Sequence, residues 1–208
     1  MIGPDQAATF ERCMAVGGVA IFGADTVYGL ACDPATRDAV ERLYAIKGRR
    51  PDKPAAVMFF SLELALAALQ ELGPRTTSAL EGLLPGPVTL LLPNPAHRFP
   101  LACGPDPETL GLRVPALGPA TVALGAVRWP VMQSSANPSG GADARRLSDI
   151  PAAIRQAADL VLDAGELDGT ASTVVDLRRF EASGDWELVR EGALARGCIA
   201  ATLDGLSG

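Results

Sequence analysis

Apolar residues along this chain fall into short runs closed by glycine or proline, and their period switches between that of a helix and that of a strand. Phe10, Cys13 and Met14 recur at helical spacing behind Asp5, a residue suited to capping, so a first helix is predicted from Asp5 to a glycine stop at about Gly17. Gly18 to Phe22 reads as a buried strand. The turn Gly23-Ala24-Asp25-Thr26 then leads through Val27-Tyr28-Gly29-Leu30 to Thr36, a cap for a helix that carries Val40, Leu43 and Tyr44 on one face and stops at Gly48. Ala55 to Phe60 is the next strand, followed by helices from Ser61 and near Thr76 and a strand from Pro87 to Leu92. Later strands are predicted at Gly111 to Val114, Val131 to Ser134, Leu160 to Asp163, Thr173 to Leu177 and Trp186 to Arg190, with helices near 119–127 and 149–158. The stretch from Gly192 to Gly208 reads as a short helix or a frayed end.

Alternation of this kind predicts an α/β fold: a twisted, mixed parallel and antiparallel sheet with helices on its faces, the closely spaced late strands supplying the antiparallel pairing. No linker or repeat interrupts residues 1–208, which are expected to form a single domain. Hydrophobic residues at 48% and charged residues at 20% place the chain among ordered globular proteins. The net charge of -6 argues against a protein that coats nucleic acid through a basic surface. Cys13, Cys32, Cys103 and Cys198 are scattered and His97 is the single histidine, so neither a zinc cage nor a disulfide framework is indicated. The first residues lack a basic segment followed by an apolar one, and no run approaches the ~20 apolar residues of a membrane helix. A cytoplasmic location is expected.

Generic nucleotide motifs are absent, so a phosphate site would have to be assembled otherwise. One candidate is Lys47-Gly48-Arg49-Arg50-Pro51-Asp52-Lys53-Pro54, where four cations leave a helix end; a solvated helix terminus would use the same charges. A second is the segment 133–141, Gln-Ser-Ser-Ala-Asn-Pro-Ser-Gly-Gly, just past a strand end, where ligands bind in α/β sheets and where an ordinary turn would also use these residues. The third is Arg113, embedded in the apolar stretch Leu110 to Pro115; it needs an anion, either a structural carboxylate or a substrate carboxylate.

Taken in order, seven runs resemble the YrdC-like family of threonylcarbamoyl-AMP synthases over roughly residues 18–193. They are Asp25-Thr26-Val27-Tyr28-Gly29-Leu30; Ile46-Lys47-Gly48-Arg49 with Lys53-Pro54; Pro85-Gly86-Pro87-Val88-Thr89; and Leu112-Arg113-Val114-Pro115. Ser134-Ser135-Ala136-Asn137 with Ser139-Gly140, Ser172-Thr173-Val174-Val175-Asp176, and Arg190-Glu191-Gly192 complete the set. The resemblance implies a YrdC-like fold with a concave basic pocket, and a nucleotidyltransferase that joins L-threonine, bicarbonate and ATP into threonylcarbamoyl-AMP with release of pyrophosphate. It implies magnesium with the ATP, held by no protein ligand identified in the sequence. It also implies a separate transferase that receives the product for tRNA modification, with direct tRNA contact left open.

By that resemblance Lys47 and Arg49 hold ATP phosphates and are the catalytic pair, and Thr109, Asn137 and Arg190 line the nucleotide. Thr26, Arg113, Ser135 and Ser172 meet the threonine, while Asp25, Tyr28 and Lys53 are candidates to orient substrate or metal. Three departures stand out. Gly23-Ala24 replaces the family's Pro-Thr, removing a hydroxyl expected at the substrate; Arg50-Pro51 displaces a proline by one; and Asp143-Ala144-Arg145 replaces Ser-Pro-Thr, changing a nucleotide contact expected near 145. Two further readings are a noncatalytic RNA-binding or regulatory relative, and a carbamoyl-transferring relative acting on carbamoyl phosphate.

Overall fold

Strict alternation in the central strands builds a sheet with two unlike faces. The computed structural model describes residues 1–50 and 52–206, and among them nine strands form one sheet. They are β1 (Ala20–Gly23), β2 (Tyr28–Cys32), β3 (Ala56–Met58), β4 (Val88–Pro93), β5 (Thr109–Arg113), β6 (Val131–Ser135), β7 (Leu160–Val161), β8 (Thr173–Asp176) and β9 (Glu187–Arg190). Their order is β7-β1-β2-β6-β3-β5-β4-β8-β9. The pairs β1/β7, β3/β5 and β4/β8 are parallel and the rest antiparallel, the mixed sheet expected from the sequence.

One row of cross-strand partners, Cys32-Met132-Val57-Leu112-Leu90-Val175, runs across six strands with every member fully buried. This is the packed side of the sheet, and burying it supplies much of the driving force for folding. The neighbouring row, on the opposite face, begins Ala31-Gln133-Ala56 and continues through Gly111 to Leu91. Alanine and glycine there leave the surface low. Phe22, the partner of Gly29, packs with Phe10 at 5.1 Å and tilts against Phe60 at 6.0 Å, which fills this face near β1.

Among the described residues eight α-helices accompany the strands: α1 (Pro4–Ala15), α2 (Arg37–Lys47), α3 (Leu62–Ala68), α4 (Pro74–Leu83), α5 (Pro100–Cys103), α6 (Ala152–Ala157), α7 (Phe180–Ser183) and α8 (Arg196–Leu203). α1 starts at Pro4 rather than at Asp5, with Gly3 as its cap and the Gln6 side chain accepting from the Gly3 N–H at 3.0 Å. α2 ends as predicted on Gly48, whose φ of 59° is the left-handed geometry glycine tolerates. Ser61 caps α3 by accepting from Leu64 N–H.

Two expectations change and one open alternative is resolved in favour of a helix. Tyr28 to Cys32 is a strand, not a connecting passage, because a hairpin with β1 buries all five residues. The segment 119–127 holds a short 3-10 turn at Val122–Ala126 in place of an α-helix. The C-terminal stretch is docked: Ile199 and Leu203, one turn apart on α8, are both fully buried, and only Ser207 and Gly208 lie outside the described residues.

Candidate functional site

The low stretch of the sheet is the floor of a cavity of about 230 Å³. Its wall gathers six predicted residues: Arg49, Arg113 and Arg190 bring charge, and Thr26, Ser135 and Ser172 bring hydroxyls. Thr26 comes from the β1–β2 loop, Arg49 from just past the turn at Gly48, Arg113 and Ser135 from the last residues of β5 and β6, Ser172 from the residue before β8, and Arg190 from the end of β9. A chain of net charge -6 thus concentrates three guanidiniums in one concavity. Such a cavity attracts an anion.

Arg113 is 3% exposed, and the question of its partner has an answer. Its Nη2 donates to Asp25 Oδ1 at 2.7 Å and lies 3.4 Å from Thr26 Oγ1, while Asp25 Oδ2 accepts from Ala116 N–H at 3.3 Å. The structural carboxylate therefore exists. It does not satisfy the whole fork, because Arg113 Nε is buried without a hydrogen-bond partner and the residue still lines the cavity. Burial pulls the Arg113 guanidinium down from its ordinary value, Asp25 opposes this, and the nearby Arg190 charge adds to the downward pull. Asp25 itself orients Arg113 and the loop carrying Thr26. Arg49 is similarly half-engaged: Nη2 donates to Pro54 O at 2.6 Å and Nε is buried without a partner. Arg190 donates to Ser172 O at 2.7 Å, and Ser172 Oγ pairs with Thr89 Oγ1 at 2.9 Å.

Lys47 and Asn137 are not on the wall; they hold it. Lys47 Nζ, at the end of α2, donates to Asn137 Oδ1 at 2.6 Å and Asn137 O at 2.9 Å, and also meets the Ser135 carbonyl and hydroxyl. Asn137 Nδ2 in turn donates to Gly141 O and to Asp143 Oδ1. One ammonium thereby anchors the loop after β6 to the helix. Burial, and secondarily the Arg49 charge, pull Lys47 down to about 8, with Asp143 pulling the other way. Of the other cations in that run, Arg50 pairs with Asp52, Lys53 is exposed with its carbonyl accepting from Tyr44 Oη, and Pro51 lies outside the described residues.

Tyr28 is a core aromatic: fully buried, its hydroxyl reaches Asp163 Oδ1 and Gly165 O and accepts from Ala164 N–H, pinning residues 163–165 to β2. Burial and the Asp163 carboxylate push it up to about 12. Thr109 lines a second cavity, of about 310 Å³, which shares Pro54, Ala55, Ala56 and Thr89 with the first and adds Leu91, Cys103 and Gly111. Its hydroxyl donates to Asp106 Oδ2 at 2.7 Å. Ala24 is 5% exposed in the hydrophobic core and off the cavity wall, so the hydroxyl missing there leaves the wall intact; Thr26 supplies the one that faces it. Arg145 also points elsewhere, packing on Gly169 and pairing with Glu166 at 3.1 Å. Thr89, Gln133 and Asp143 line the cavity although none was given an individual site role from sequence, Gln133 being only the first residue of the candidate segment 133–141. Period-2 alternation from Ser135 back to Gln133 was the available signal for one of them.

Fold and cavity define an α/β protein with a cation-lined pocket on one face of a single mixed sheet. Residues 12–192 match the Sua5, YciO and YrdC family, described as telomere recombination. A threonylcarbamoyl-AMP synthase of Stutzerimonas stutzeri is 33% identical over 183 residues, covering 87% of this chain and 97% of its own. One of Xanthomonas campestris is 35% identical over 162 residues, covering 76% and 84%. Sua5 of Pyrococcus abyssi complexed with L-threonine superposes with a TM-score of 0.83 at 25% identity, over 97% of this chain and 58% of that one. Escherichia coli YciO shares the fold, with a TM-score of 0.77 over 95% and 94% of the two chains. The chain belongs to the Sua5/YciO/YrdC family and is an enzyme.

Removing one half of the buried ion pair leaves a charge that nothing screens. Asp25→Ala is expected to cost about 3–5 kcal/mol of stability, and Asp25→Ala/Arg113→Met to recover most of it, in urea unfolding. Additive losses would show that the pair is not coupled. Lys47 binds fewer protons folded than unfolded between pH about 8 and its ordinary 10.5, so its contribution to unfolding free energy rises with pH across that window. Unfolding of the protein and of Lys47→Met at pH 7, 9 and 10.5 checks this: the difference in favour of the lysine grows with pH.

Proposed function

We propose that this enzyme makes threonylcarbamoyl-AMP and pyrophosphate from L-threonine, bicarbonate and ATP, within one domain and in the cytoplasm, for a tRNA-modifying transferase that takes the product. The observation that carries this reading is the convergence of Arg49, Arg113 and Arg190 with Thr26, Ser135 and Ser172 over a floor of small residues. Among the described residues no helix is long and apolar enough to cross a membrane.

The two joined cavities suit the two ends of the reaction. The apolar slot beside Leu91, Cys103 and Gly111, with Thr109 at its edge, fits a flat nucleobase. The cationic cavity takes the phosphates on Arg49 and Arg190 and the threonine carboxylate on the open side of the Arg113 fork. Threonine amine and bicarbonate combine to a carbamate with loss of water; a carbamate oxygen then attacks the α-phosphorus, the P–O bond to the β-phosphate breaks, and pyrophosphate leaves. That displacement requires alignment and charge neutralisation rather than a protein nucleophile, and guanidiniums supply both. Lys47 acts through the loop it holds, and is a positioning residue here.

Magnesium accompanying ATP has a carboxylate to meet. Asp143 is on the cavity wall, and one carboxylate together with phosphate oxygens and water is an ordinary environment for Mg²⁺. Bound there, the ion would neutralise phosphate charge. Incubating the purified enzyme with ATP, magnesium, labelled bicarbonate and threonine is expected to yield the labelled adenylate and pyrophosphate, with Arg49→Ala lowering kcat/KM by about 100-fold or more. Pyrophosphate release that ignores threonine, or no adenylate at all, would refute the assignment.

A further inference from the structure

Gln133 is the one long polar side chain in the small-residue row of the sheet floor. It sits in mid-sheet on β6, with Ala31 as its partner on β2 and Ala56 as its partner on β3, neither able to offer a polar side chain. Gly29 stands diagonally across, and a Cβ built there would run into Gln133 Nε2 and lie 3.2 and 3.3 Å from Cδ and Cγ. The glutamine therefore lies down across the glycine. Two residues on, the Ser135 hydroxyl is already committed to Asn137 Oδ1 at 2.8 Å. Gln133 is 8% exposed, and among the described residues its side-chain amide makes no hydrogen bond. The amide is not among the fully buried polar groups left without a partner, so it opens onto the cavity that the residue lines and is available to what enters there.

The charge pattern around the amide narrows what it meets. Anionic groups have three guanidiniums to choose from, and a phosphate or carboxylate on Gln133 would use the Nε2 donors while facing the Oε1 lone pairs. A group that both donates and accepts satisfies both ends of a carboxamide. An alcohol does so. A nucleobase does too, but the apolar slot reaches Gln133 only at Ala56 and runs away from β6, past Gly111 on β5 at two strand spacings or roughly 10 Å, to Leu91 on β4. Near Gln133 the wall is instead that of Thr26, Ser134 and Ser135. Resting on the reading under Proposed function, we propose that Gln133 sets specificity for the amino-acid side chain, exchanging hydrogen bonds with its hydroxyl and rejecting the isosteric apolar side chain of valine. Gly29 is its positioning residue.

Calorimetric titration of L-threonine and L-valine, each with ATP and magnesium present, tests this on the unaltered enzyme and on Gln133→Met and Gly29→Ala. The unaltered enzyme prefers threonine by about 10- to 100-fold, a preference expected of a site whose amide loses its access to water, and stays unpaired, when valine fills the cavity. Gln133→Met cuts that ratio at least tenfold while ATP affinity stays within about twofold, and Gly29→Ala, which dislodges the amide without altering it, lowers the ratio in the same direction. If Gln133→Met also loses ATP binding through misfolding, Gln133→Ala carries the same comparison. Retained threonine preference in the glutamine variants overturns the role of Gln133 and leaves the functional reading standing. Weakened ATP binding with intact selectivity and an intact fold assigns the amide to the base and overturns it as well. An unaltered enzyme that binds neither amino acid refutes the functional reading and this inference together.

Discussion

A guanidinium buried at the end of a central strand sets the terms for the rest of this site. Arg113 follows Leu112 in β5 at 3% exposure, where an unpaired charge could not be kept. Asp25 answers it from the β1–β2 loop, and in doing so ties that loop to β5 across the intervening strands. Thr26 is carried onto the cavity wall as a consequence. The pairing is deliberately incomplete in geometric terms: one nitrogen is spoken for, Nε has no partner, and the residue opens onto the cavity. A carboxylate ligand would complete the fork.

Cations in this protein divide into those that face the cavity and those that build it. Lys47 spends its ammonium on four oxygens of Ser135 and Asn137, fastening the end of α2 to the loop after β6. Arg145 and Tyr28 do comparable work on residues 163–169, which lead to Ser172. With the walls fixed in this way, Arg49 and Arg190 face the cavity without pairing to carboxylates among the described residues, and Arg113 opens onto it beside its partner Asp25. The floor beneath them is low because Ala31, Ala56 and Gly111 stand where the packed face of the same strands carries Cys32, Val57 and Leu112. Two sides of one alternation thus yield a core and a binding surface.

Much of this was legible in the sequence, and the gaps have physical causes. The strand at Val131 to Ser134, the helix stop at Gly48 and the mixed sheet followed from period and punctuation, which are local properties. The buried position of Arg113 implied an anion, but its identity depended on a loop 88 residues away. Lys47 and Arg49 look alike in a run of charges; only the tertiary placement of Asn137 separates an anchoring ammonium from a wall guanidinium. Ala24 looked like a lost contact because the family resemblance put a hydroxyl at that position, and sequence does not say which residues of a loop turn toward a cavity. Gln133 stood out only as the head of the candidate segment 133–141, since an amide near a serine-rich turn is unremarkable until its two strand neighbours prove to be alanines.

Ligand binding in this cavity depends on which arginines meet the ligand. Arginine side-chain resonances, recorded with ¹⁵N label before and after adding ATP, magnesium and threonine, report each guanidinium separately. The Nε–H signals of Arg49, Arg113 and Arg190 should shift and exchange more slowly with water, while those of Arg42 and Arg50, paired away from both cavities with Asp159 and Asp52, stay in place. An unmoved Arg113 signal in a saturated sample would contradict this assignment.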